Sequence, residues 1–118
     1  MKKPICIPID IFNLDVAVFR SEKQRVKVLL AEGVSGVSTL PGAAIATAYR
    51  DHTDDGEIRL NMVLKKGADI SAVAHECVHI ADFLMEEFGI PSGAENTEVR
   101  AYLVGHLVHN AKSFADDI

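Results

Sequence analysis

Residues 74–80 read A-H-E-C-V-H-I, with His75 and His79 four residues apart and Glu76 directly after the first. On a helix, residues four apart project from one face, so both imidazoles can reach one ion. Zinc takes neutral histidine nitrogen readily, and a catalytic zinc keeps three protein ligands and a water. A glutamate beside the first histidine sits next to such an ion without binding it. There it can take a proton from bound water and pass it to a leaving group. These residue types at this spacing support metal-assisted hydrolysis, with Glu76 as general base and acid. The plain alternative is a solvated helix face that carries two histidines.

The helix that would position them is legible. Ile70, Val73, Ala74, Cys77, Val78, Ala81, Leu84, Met85 and Phe88 fall at helical spacing and define one apolar stripe. His75, His79, Asp82 and Glu86 form a second stripe along its border, and Glu76 points about 100° away from them. Asp69 or Ser71 caps the start, the helix continues to Phe88, and Gly89 and Pro91 end it. Cys77 faces the core side and reads as packing, not as a ligand. A motif inside a long, well-capped helix, with its histidines on the border of the buried arc, favours the ligand reading.

Two histidines do not complete a zinc site. A last helix is predicted from near Gly93 or Ala94 to about Lys112, with Glu95 and Glu98 in its first turns. Glu98, Tyr102, His106 and His109 fall near one of its faces. The short connection folds this helix back against the first and can bring Glu98 to the His75/His79 pair. Glu95 is an alternative third ligand, and so is Asp82, one turn beyond His79. A tetrahedral intermediate needs a donor for its oxyanion. Tyr102, His106 and His109 on the last helix, and Tyr49, are the candidates. Tyr102 is favoured, as that donor or as a hydroxyl that orients a ligand. His106 and His109 read better as helix-face residues, and His52 as a solvated loop residue.

H-E-C-V-H, followed 19 residues after His79 by Glu98 in E-V-R-A-Y, resembles the gluzincin branch of zinc metallopeptidases. In that branch a glutamate on a following helix is the third ligand, often in an E-x-x-A-[D/N] context. Tyr102 stands here where the family has the acid that orients a ligand histidine, and Asp82 could take that second role. The stretch from about Ala74 to Asn110 also resembles small proteins of bacteriophages and prophages. The resemblance is close over roughly the C-terminal third and only a pattern elsewhere. It implies a minimal zincin-like domain with Zn2+ on His75, His79 and Glu98, Glu76 and Tyr102 as catalytic residues, and a protein or peptide substrate, such as a host protein.

The remaining elements form an α+β pattern in one domain, residues 1–118. One or two strands are predicted up to about Arg20, with Pro8 at an edge or bend. Ser21 opens a helix, with Gln24 at the reciprocal capping-box position and Gly33 as its stop. Residues 43–50 and 57–64 read as a hairpin. The expected sheet is small and mostly antiparallel, with strand 57–64 offering its edge to an extended peptide.

The chain has 118 residues, room for one domain with a real core. Twelve basic against 17 acidic residues give a net charge of −5, which speaks against a nucleic-acid or anionic-membrane surface. Cys6 and Cys77 do not form a disulfide framework and read as free thiols in a reducing compartment. The apolar run at the start is broken by Pro8 and is too short for a signal peptide. A cytoplasmic protein is therefore expected, in the host cytoplasm if a phage encodes it. The apolar last helix could carry an interface between copies. The leading expectation is a zinc-dependent metallopeptidase. The alternative is a non-enzymatic phage accessory or binding protein in which zinc is structural.

Overall fold

The computed structural model of the chain describes residues 2–37 and 44–117. Strands β1 (Ile5–Ile9) and β2 (Leu14–Phe19) pair antiparallel through a 3-10 turn at Asp10–Phe12. Helix α1 (Glu22–Ala31) follows, then the antiparallel pair β3 (Ala46–His52) and β4 (Ile58–Leu64). Helix α2 (Ile70–Glu87), a 3-10 turn at Ala94–Asn96 and helix α3 (Thr97–Asp116) complete the α+β fold. The sheet order is β1-β2-β4-β3, and β2 runs parallel to β4. Among the described residues no helix is long and apolar enough to cross a membrane.

This order corrects one expectation. The strand at 57–64 is not an edge. β4 lies between β2 and β3, and β3 is the edge of that half of the sheet. Leu60, Asn61, Met62, Val63 and Leu64 are all buried, on both faces, as a central strand requires. In β3 buried residues alternate with half-buried ones instead.

Local chemistry explains the helix ends. The Ser21 hydroxyl accepts from the Gln24 N–H at 3.1 Å, and the Gln24 side chain accepts from the Arg20 N–H at 2.8 Å. Asp69 caps α2 by accepting from the Ala72 N–H at 2.9 Å. Gly89 follows α2 at φ 66°, where a residue without Cβ turns the chain most easily. α3 starts later than predicted, at Thr97, because residues 94–96 form the 3-10 turn. It runs past Lys112 to Asp116, with Phe114 buried in the core.

The inner sheet face presents Ile7, Ile9, Val16, Val18, Leu60, Met62 and Leu64 to α2 and α3. On the outer face Phe19, Tyr49 and Val63 cluster with Val28 of α1. The same face buries a polar network. Arg25, fully buried, donates to Asn61 at 2.6 Å and to Asp51 at 2.7 Å, with its guanidinium 3.4 Å over the Tyr49 ring. Asn61 also donates to Asp51 at 2.9 Å, and the Tyr49 hydroxyl donates to Glu22. Arg25→Ala would leave Asp51 buried without its cation, a loss expected to cost ~3–5 kcal/mol in urea unfolding. Arg50→Ala, which breaks surface pairs with Glu86 and Glu87, should cost no more than about 1 kcal/mol in the same assay.

Candidate metal centre

Helix α2 buries Val73, Cys77, Ile80, Ala81, Leu84 and Met85. Ile80 is absent from the predicted stripe, while the end residues Ile70 and Phe88 are exposed. With that arc turned to the sheet, His75 and His79 face solvent and their Nε2 atoms lie 3.2 Å apart. Two nitrogens bound tetrahedrally at the usual zinc distance are about 3.3–3.4 Å apart. The two nitrogens lie within hydrogen-bonding distance of each other, a separation also close to that of two ligands on one metal ion.

Glu76 points to β3. Its Oε1 accepts the Ala48 N–H at 2.9 Å, and its Oε2 lies 3.8 Å from His75 Nε2. The Glu76 side chain is 13% exposed, against 68% for His75. Among the described residues, His75, Glu76 and His79 form the group of potential ligands whose atoms all lie within 4.8 Å of one another. The His79 ring stacks on Phe83, and Arg50 of β3 lies 5.5 Å over that ring. The sequence reading missed Ala48, Phe83 and Arg50. Alternation in A-T-A-Y-R puts Ala48 and Arg50 on one face of a strand, but nothing local says that α2 packs on that face.

The third-ligand candidates lie elsewhere. Glu98 lines a shallow apolar hollow with Ile11, Val99 and Tyr102. Two facts put it there. Arg100 of α3 meets Asp82 of α2 at 3.0 Å. Since the helices are antiparallel, that pair sets residue 103 opposite His79, so Glu98 lies about 7.5 Å further along the axis. Burial of Leu103, Leu107, Ala111 and Phe114 then turns the Glu98 side of α3 away from the core. Asp82 stands on the same stripe as the histidines but is held by Arg100. The Glu95 carboxylate folds back over Gly93.

The candidate oxyanion donors are also dispersed. Tyr102 is exposed and stacks on the His106 ring, centroids 6.0 Å apart. His106 Nε2 donates to the Pro8 carbonyl of β1 at 2.7 Å. His109 is exposed, and Tyr49 belongs to the Arg25 network on the opposite sheet face. His52 is the last residue of β3, not part of the loop, with Nε2 3.7 Å from Glu87.

Cys77 is buried, and both burial and the neighbouring Glu76 push its thiol up to about 12. Cys6 is exposed on β1, and desolvation with Asp15 and Glu32 nearby raises its thiol above the ordinary 9.0. Only the thiolate reacts. A disulfide reagent should therefore label one thiol, Cys6, in the folded protein. Its rate should still be climbing as pH passes 9, and Cys77 should react only after denaturation, as peptide mass mapping would show.

No family model, curated protein or solved structure matches the chain. The function of the centre therefore rests on its own geometry and chemistry.

Proposed function

We propose that the protein is a zinc-dependent metallopeptidase that acts on an extended stretch of a protein or peptide. One observation carries the reading: the two histidines and the glutamate of H-E-C-V-H come together beside an edge strand of the sheet. His75 and His79 would hold zinc through Nε2. When bound, zinc lowers the pKa of a water and polarises a carbonyl. Glu76, beside the pair and not between its nitrogens, is the group that takes the proton and returns it to the leaving amine. The outward backbone groups of β3 offer pairing to a peptide strand.

The third ligand is Glu98 or Asp82 in this reading. Asp82 needs the smaller change, release from Arg100, whereas Glu98 must come round α3. A purely structural zinc fits less well. Structural sites are closed by four protein ligands, whereas this pair stands exposed on one helix and ties no second element to it.

Elemental analysis after reconstitution with zinc tests the proposal. One zinc is expected in wild type and in Glu76→Gln, and none in His79→Ala. Glu76→Gln should also lose about 100-fold or more of any peptide hydrolysis while keeping the metal. Whichever of Asp82→Ala and Glu98→Ala weakens zinc retention identifies the third ligand. Wild type that takes up no zinc overturns the reading.

A further inference from the structure

We propose that the Glu76–Ala48 hydrogen bond is a latch. It holds the motif's carboxylate on the edge strand until the backbone of an extended peptide replaces it. This rests on the reading of the centre as a peptide-cleaving site, and it concerns how that site is switched.

The geometry starts with the ladder. Ala48 faces Met62 across the β3–β4 pair, yet its N–H meets Glu76 Oε1 at 2.9 Å. The Ala48 N–H thus points away from β4. Alternation along an antiparallel strand sends the backbone groups of Ala46, Ala48 and Arg50 the same way. The Lys65 N–H bond to the Ile45 carbonyl fits this register, since it places residue 45 among those that pair inward. An added strand would pair with these outward groups, and Ala48 offers the N–H nearest the motif. That donor is already taken by Glu76.

A peptide carbonyl and the Glu76 carboxylate therefore compete for one N–H. No bond is made or broken covalently and no proton changes place. The peptide gains the Ala48 donor, and Glu76 loses its anchor. Its other oxygen is already 3.8 Å from His75 Nε2, so the released carboxylate is left on the side of the histidine pair. In this scheme the base becomes free only when a peptide lies along β3. A bond from an N–H to a charged acceptor shifts such a competition by about ten- to a hundredfold.

The test uses the zinc-free full-length chain, so a failure of zinc uptake and a failure of the latch are read separately. The probe is Thr-Val-Thr-Val-Thr-Val, acetylated and amidated, which favours an extended strand. Binding is followed in NMR spectra by the outward amides of Ala46, Ala48 and Arg50, and in the Ala48→Pro variant by those of Ala46 and Arg50. Glu76→Ala removes the competitor and should bind the probe about tenfold or more tightly than wild type. Glu76→Gln, a neutral acceptor, should fall between them. Ala48→Pro, tolerated where an edge N–H faces away from the ladder, should not bind. Slow exchange of the Thr47 and Tyr49 amides, which pair with β4, reports that each variant keeps its sheet. Equal affinity in wild type and Glu76→Ala overturns the latch. So does binding that survives Ala48→Pro, or the absence of probe binding in Glu76→Ala.

Discussion

Six side chains of α2, Val73, Cys77, Ile80, Ala81, Leu84 and Met85, are buried against the sheet and α3. Burial of each larger one is worth about 1.5–3 kcal/mol, so a rotation of the helix that exposed them would be costly. That fixes the phase of every other residue on it. At about 100° per residue, His75 and His79 must then point outward, Glu76 and Phe83 toward β3, and Asp82 toward α3. The histidine pair is positioned by a buried core of which neither histidine is a member. His75 Nε2 and His79 Nε2 come within 3.2 Å because residues four apart stand one turn apart on one face of a helix, and the core behind decides that this face meets solvent.

The strand beside the pair is held from its other face. On that outer face Asp51 of β3 accepts from Arg25 of α1 and Asn61 of β4, and the Arg25 guanidinium lies over the Tyr49 ring. A one-residue slip of β3 would turn Asp51 and Tyr49 toward the apolar inner face and leave Arg25 buried without its acid. The network thus specifies register more than it adds stability. With register fixed, Ala48 and Arg50 face α2, and the outward N–H of Ala48 falls where Glu76 can accept it.

The elements were legible where local chemistry decides them. Ser21, Asp69, Gly33 and Gly89 mark helix ends through caps and a left-handed turn, and those boundaries stand within a residue or two. The apolar spacing of α2 marked Val73, Cys77, Ala81, Leu84 and Met85 of its buried arc, missed Ile80, and took in Ile70 and Phe88, which are exposed, and Ala74 and Val78, which are half-buried. The rest was set by tertiary choices with no local signature. The parallel pairing of β2 with β4 depends on α1 crossing over, so it made β4 central and β3 the edge. Within the site, H-E-C-V-H was read from spacing alone, because a helix turns spacing into proximity. The approach of Glu98 needed the rotation and axial register of α3, which Phe114, Leu107 and the Asp82–Arg100 pair decide.

Both edges of the sheet end on a helix side chain. On β1, His106 of α3 takes the Pro8 carbonyl; on β3, Glu76 of α2 takes the Ala48 N–H. Sheets need such devices, because unpaired edge groups recruit other strands. Glu76 therefore has a structural role that exists whether or not an ion is present. The two caps differ in what their release would do. Pro8 lacks an N–H, so β1 is a poor template for an added strand even when His106 leaves. β3 carries a donor at Ala48, and the residue that covers it is the only carboxylate grouped with the histidine pair among the described residues. On the proposed reading, edge protection and base placement fall on one side chain. A strand that displaces the cap would at the same step free the base proposed here, and the exposed edge would then be a condition for that chemistry and not only a hazard to be blunted.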